Sequence, residues 1–282
     1  MKVIRAETAG FCMGVSLALK KLDKALALAN SRGRIYTYGP IIHNPLVLED
    51  YRRKGVFCAS DPSALAAGDK VVIRAHGIPR QDEHRLGELR VDVEDATCPR
   101  VKKAQLSISS ATAKGSRLLL FGESEHPEVR GLVSYAHGPA AIFASLSELA
   151  GLELPPEHAY VLASQTTQDK KVFVEIENDL AKRLPRLHVL HTICDATGKR
   201  QAEALAIARK VELMIVVGGR ESGNTRRLAD LAMRSGVKTL LVESVRDLSR
   251  RRCGQIECAG LTAGASTPKS LIDEIESWLL EN

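Results

Sequence analysis

Three cysteines share one local setting. Cys12 in "GFCMGV", Cys98 in "DATCPRVKKAQ" and Cys194 in "TICDATGKRQ" each stand directly before a stretch that reads as a helix. Unpaired backbone amides and the helix dipole favour a thiolate over a thiol at such a place. A thiolate is a nucleophile or a metal ligand. For a single cysteine, burial as a small hydrophobe is the commoner fate. Three in matching positions shift the reading to ligands. Three thiolates can hold a four-iron cluster with one iron left open, or zinc with an open fourth position. Of the others, Cys58 in "GVFCAS" is expected to be buried filler. Cys253 and Cys258 form a C-x4-C pair, set aside because "CAGLTAGAS" reads as a buried strand entering a Gly-rich turn.

The elements that must position these thiols repeat with them. Cys12 and Cys98 are 86 residues apart, and Cys98 and Cys194 are 96 apart, which suggests an internal repeat. After Cys12, the apolar positions Val15, Leu19, Leu22, Leu26 and Ala29 fall on one helical face. Pro99 suits the first position of the second helix. Each cysteine helix leads to a β-like run: "RIYTYGP", "SRLLLFGE" and "VELMIVVGG". Polar loops follow, then another helix and strand leading to "VVIRAHGIP", "AYVLASQTT" and "AGLTAGAST". This predicts an α/β fold of three similar small domains: residues 13–97, 98–193, and 194–282, each a parallel sheet flanked by helices. Functional loops of parallel sheets gather at the carboxyl ends of the strands. Three units around an axis would bring the cysteines and six polar loops to one centre.

Those loops carry the remaining candidates. His43, His76 and His126 fall at strand ends, where imidazoles can donate to phosphate oxygens. Ser222 and Asn224 in "ESGNT" and Ser266 in "AGAS" suit an anion cradle, and also suit helix caps and turns. Both roles are compatible, because a capped helix N-terminus is itself an anion site. Glu128, two residues after His126, can relay protons or stand exposed in a first helical turn. Thr166 can donate to a substrate hydroxyl or cap the helix beginning near Asp169.

Bulk composition narrows the field. The content of 44% hydrophobic and 26% charged residues is that of an ordinary globular chain. No apolar run reaches the roughly 18 residues of a membrane span. "MKVIRAETAG" lacks the apolar core of a secretory signal, so the cytoplasm is the expected compartment, where thiols stay reduced. A net charge of +6 is modest, and with 4% aromatic residues no base-stacking stripe is visible, so a nucleic-acid partner is not expected.

Together the segments resemble the 4-hydroxy-3-methylbut-2-enyl diphosphate reductase family of the non-mevalonate isoprenoid pathway. The resemblance runs from "GFCMGV" through "HNP", "AHG", "DATCP", "HPEV", "SQTT" and "GNT" to "TAGASTP". It implies a [4Fe–4S] cluster on Cys12, Cys98 and Cys194, with the fourth iron facing substrate. It further implies diphosphate contacts from His43, His76 and His126, completed by Ser222, Asn224 and Ser266. Thr166 would orient the substrate hydroxyl and Glu128 would supply protons. A pseudo-threefold arrangement is implied, with residues 1–12 joining the third domain, as is an electron donor such as ferredoxin or flavodoxin. Two positions depart from the family pattern. Gly223 stands where many members have a second serine, and Arg130 replaces an acidic or apolar residue. Two other readings stay open on the residues alone: a zinc hydrolase of phosphorylated substrates, and a non-enzymatic iron–sulfur sensor that binds nucleic acid.

Overall fold

The protein is described by a computed structural model covering residues 1–28 and 33–281. It begins with strand β1 (Lys2–Arg5) and helix α1 (Met13–Ala27). Then come β2 (Ile35–Tyr38), α2 (Pro45–Arg53), β3 (Val56–Ala59), β4 (Lys70–Ile73), α3 (Arg80–Glu88) and β5 (Asp92–Asp95). The middle of the chain forms α4 (Pro99–Thr112), β6 (Arg117–Phe121), α5 (Pro127–Val133), β7 (Ala140–Phe143), α6 (Leu146–Ala150), β8 (Tyr160–Ser164), α7 (Lys170–Arg183) and β9 (Leu187–Val189). The last part forms α8 (Asp195–Ala208), β10 (Leu213–Val217), α9 (Gly223–Arg234), β11 (Lys238–Val242), α10 (Arg250–Cys253), β12 (Cys258–Ala263) and α11 (Lys269–Glu281).

These strands make three four-stranded, wholly parallel sheets, as the repeats predict. The orders are β3-β2-β4-β5, β7-β6-β8-β9 and β11-β10-β12-β1. One plan serves all three. The first strand is central, the second lies to one side, the third to the other, and a fourth sits outside the third. In the sheet of β10 that fourth place is taken by β1, whose Lys2 pairs with Cys258. Every cysteine of interest follows the strand in fourth place. The loops after the first and third strands flank the reversal of strand order, the place where open α/β sheets take ligands.

The chain divides into two compact units. One comprises Met1–Ser16, Ile42–Tyr51 and Asp195–Asn282; the other comprises Leu17–Ile41 and Arg52–Cys194. In the first, β10 (LMIVV) is buried along its whole length, the continuous apolar pattern of a strand covered on both faces. Leu271, Ile272, Ile275 and Leu279 of α11 pack on one of its faces, and Ala204 of α8 and Leu228 of α9 on the other. In the second unit, Ile108 and Ala104 of α4 pack with Leu118 and Leu120 of β6, while Phe173, Ile176 and Leu180 of α7 close the opposite face. Of the apolar face expected on α1, Val15, Leu19 and Leu22 are buried and Leu26 half-buried; Ala29 lies outside the described residues. Among the described residues no helix is long and apolar enough to cross a membrane.

Candidate functional site

The thiols are placed by one repeated backbone contact. The amide of Cys12 donates to the carbonyl of Ala265 (3.2 Å), that of Cys98 to Ala75 (2.9 Å) and that of Cys194 to Thr166 (3.0 Å). Each acceptor lies two residues beyond the end of its sheet's third strand. None of the three cysteines forms a disulfide, and all are half-buried. Cys98 precedes Pro99 at the start of α4 without spending its sulfur on a cap bond. Helix α8 adds a clamp on the Cys12 loop. Buried Arg200 donates to the carbonyls of Gly10 (3.0 Å) and Ala263 (2.8 Å). Glu203 receives the amides of Glu7 (2.7 Å) and Thr8 (2.9 Å) and the Thr8 hydroxyl. Burial would raise the Glu203 carboxyl, but the hydrogen bonds from Thr8 and Glu7 outweigh it and hold the group below its ordinary value.

The other cysteines lack this setting. Cys58 is exposed, not buried: it lies on β3, the outermost strand of its sheet. Cys253 is buried, and desolvation pushes its thiol pKa up. Cys258 is half-buried in β12.

The loops after the central strands end in capped helices. In the first unit, Asn44 Oδ1 accepts the amides of Leu46 (3.1 Å) and Val47 (3.2 Å) at the start of α2. Ser222 Oγ accepts the amide of Thr225 (3.4 Å) at the start of α9. Ser266 Oγ donates to the carbonyl of His43 (3.0 Å), which joins two of the expected residues. Ser222, Asn224 and Ser266 are all buried, and Asn224 Nδ2 has no hydrogen-bond partner among the described residues. The close fit of α9 on β12 depends on Gly264, where a Cβ would stand 2.0 Å from Thr225 Oγ1.

In the second unit, His126 Nδ1 accepts the amide of Glu128 (3.1 Å) and so caps α5. A neutral ring in that role carries its proton on Nε2. His76 is half-buried and meets His126 edge to face, with ring centres 5.4 Å apart. Glu128 is 1% exposed, which overturns the solvent-facing alternative. Its Oε1 receives the Thr166 amide at 2.6 Å, and its Oε2 receives the Thr166 hydroxyl at 3.0 Å. Thr166 does not cap α7; Asp169 does, accepting the amide of Lys171 at 2.9 Å. Of the two departures, Gly223 opens α9 and is buried, while Arg130 is exposed.

Three contributors escaped the sequence reading. Asn44 had a local signal, an Asn-Pro step before an apolar run. Arg200 and Glu203 had none, because their partners lie near the other end of the chain.

Comparison with known proteins adds the following. Residues 3–280 match the sequence model described as "LytB protein". A protein of Desulfovibrio desulfuricans described as 4-hydroxy-3-methylbut-2-enyl diphosphate reductase is 57% identical over 283 residues, covering 99% of both chains. One of the same description from Geobacter sulfurreducens is 38% identical, covering 98% of this chain and 95% of the other. Among solved structures, the E-1-hydroxy-2-methyl-but-2-enyl-4-diphosphate reductase of Plasmodium falciparum superposes with a TM-score of 0.93 at 27% identity, covering 100% of this chain and 88% of that one. A second solved structure, an (E)-4-hydroxy-3-methyl-but-2-enyl diphosphate reductase described as the terminal enzyme of the non-mevalonate pathway, gives 0.71 at 36% identity over 100% of both.

Proposed function

The chain belongs to the LytB family, and we infer from this that it is a reductase acting on (E)-4-hydroxy-3-methylbut-2-enyl diphosphate. It removes the hydroxyl as water and yields isopentenyl and dimethylallyl diphosphate. The observation that carries this reading is the relation to reductases of that substrate along virtually the whole chain. Overall, the C–O bond breaks, two electrons and two protons enter, and one water leaves.

Cys12, Cys98 and Cys194 would hold the iron–sulfur group. The donor set fits: three half-buried cysteines outside any disulfide, each following the fourth-place strand of its sheet with its amide pinned in the same way. When bound, a [4Fe–4S] cluster with one open iron supplies the two electrons singly and a Lewis-acidic place for the hydroxyl oxygen. A zinc centre would supply no electrons. We take residues 13–97, 98–193 and 194–282 with 1–12 as the three repeat units. The shared strand plan supports that division.

The diphosphate is assigned to His43, His76, His126, Ser222, Asn224 and Ser266. His126 Nε2–H, the Asn224 amide and the amides at the start of α9 are donors suited to anionic oxygens. Grip on the remote diphosphate fixes the orientation of the reacting end. Glu128 carries the proton. Thr166 Oγ1 donates to Glu128 Oε2 at 3.0 Å; once the carboxyl is protonated this bond can reverse, and the threonine passes its own hydrogen to the substrate oxygen as it accepts one from Oε2. The Thr166 amide holds the carboxyl in that aim. Electrons come from a separate carrier such as a ferredoxin or flavodoxin, and the net positive charge suits an acidic one. Cysteines outside any disulfide fit a reducing cytoplasm.

The test is anaerobic purification with iron, sulfide and spectroscopic analysis, followed by turnover with a chemical reductant. Wild type is expected to contain iron and acid-labile sulfide and to form both products. Cys98→Ser is expected to lose or degrade the cluster. Zinc without sulfide, or no turnover by an intact cluster protein, refutes the reading.

A further inference from the structure

Gln105 lies on α4, seven residues after Cys98. Its side chain is wholly buried, yet neither amide atom has a hydrogen-bond partner among the described residues. A spacing of seven puts Cys98 and Gln105 on one helical face, and helical side chains lean toward the N-terminus, here toward the cysteine. The amide is wedged between two glycines. A Cβ on Gly77 would stand 2.7 Å from Gln105 Nε2, and one on Gly131 would stand 3.5 Å from it. Gly77 follows His76 directly and has φ +70°, a conformation that favours glycine. Gly131 belongs to α5, the helix that His126 caps and that carries Glu128. One amide therefore packs against the turn after His76 and the helix of Glu128, on the helix that Cys98 opens.

That arrangement has a cost. A buried amide left without partners loses about 1–3 kcal/mol relative to a satisfied one. A methionine or leucine would fill similar space without it. The fold itself accepts an apolar residue at this station: seven residues after Cys12 the chain has Leu19, and seven after Cys194 it has Gln201. Local rules broken without a stabilising return are a mark of functional positions.

We propose that Gln105 is a positioning residue for the reaction assigned above, on which this inference rests. Its amide fixes the Gly77 turn against α5 and thereby aims His76 at the diphosphate. Its unspent hydrogen bonds form when the His76 loop tightens on bound substrate. Bonds made only in the loaded state add to affinity, so their loss falls on KM.

The experiment compares wild type, Gln105→Met and Gln105→Glu as anaerobic holoenzymes, by cluster content, melting temperature, kcat and KM. Gln105→Met is expected to keep its cluster and to melt at or above the wild-type temperature, while KM rises about tenfold and kcat stays within about threefold. In Gln105→Glu, burial raises the carboxyl pKa, and the protonated form keeps both a donor and an acceptor. Its KM should stay near wild type at the acid end and climb with pH more steeply than wild type. A Gln105→Met protein that melts lower and loses kcat with KM overturns the proposal, marking a packing role. So does an unchanged KM in a preparation whose wild type is active. A wild type that keeps its cluster but turns over no substrate refutes the functional reading instead. In that case the melts still decide whether the amide is held at a cost.

Discussion

Helices α5 and α9 occupy the same station in their sheets and are furnished differently. Each follows its sheet's central strand and opens with a side-chain cap, His126 in one and Ser222 in the other. Two residues past the cap stands Glu128 or Asn224, and both are buried. Glu128 is satisfied within the protein, by the amide and hydroxyl of Thr166. The corresponding residue of the other sheet, whose carbonyl receives the Cys12 amide, is Ala265 and offers no hydroxyl. Asn224 Nδ2 is left without a partner among the described residues. An internally closed pair suits proton handling, where geometry must be fixed before substrate arrives. An open donor suits binding, where the ligand supplies the missing acceptor. On the function proposed above, one framework would separate chemistry from grip by the choice of two side chains.

The largest effect expected from breaking this contrast is on α5. Glu128→Gln keeps the shape and can still accept from Thr166, but cannot carry the proton. It should lower kcat by about 10²- to 10⁴-fold with cluster and KM little changed. Undiminished turnover would remove Glu128 from the chemistry. On α9, Asn224→Leu deletes the open donor. Here KM should rise by about tenfold or more while the melting temperature holds or increases, because an unsatisfied amide has gone. A fall in kcat at constant KM would mean that the two helices do not divide the work as described.

Caps come next in size. Ser222→Ala should cost about 1 kcal/mol of stability through the lost bond to the Thr225 amide, readable in urea titration. Ser222→Gly should cost only a few tenths, so a large loss in the glycine variant would assign Ser222 more than capping. The smallest effect concerns Glu203. Its lowered pKa means that the stability it lends is present above the ordinary value of about 4.3 and is lost as pH falls through the folded one. Melts between about pH 3 and 6 should show that loss in wild type and a flatter profile in Glu203→Gln. Identical profiles would clear Glu203 of any part in holding the Cys12 loop.

Much of this architecture was legible in local pattern. The cysteine-before-helix settings, the β-like runs and the polar loops at their ends are short-range features, and the sheets follow them closely. What escaped depends on pairings across distance. Local pattern left Glu128 open between proton relay and exposure, because its partner, Thr166, lies on another strand's exit loop. Cys58 looked buried because "GVFCAS" is apolar, but edge position is decided by strand order. Arg200 reads as one more surface arginine until the Cys12 loop is laid against it. The strain-free cost at Gln105 is likewise invisible in sequence, since nothing in "VKKAQL" announces which glycine its amide will meet.

The placement of β1 beside β12 also sets an order of assembly. The sheet of β2 draws only on residues 35–95 and that of β6 only on 117–189, so each can close as its own segment leaves the ribosome. The remaining sheet must wait, because Lys2 finds its partner only when Cys258 has been made. The loop behind β1 gains its anchors, Ala265 and Arg200, late as well. Cys12 is synthesised first of the three thiols, yet its anchor at Ala265 is made after Ala75 and Thr166, the anchors of the other two.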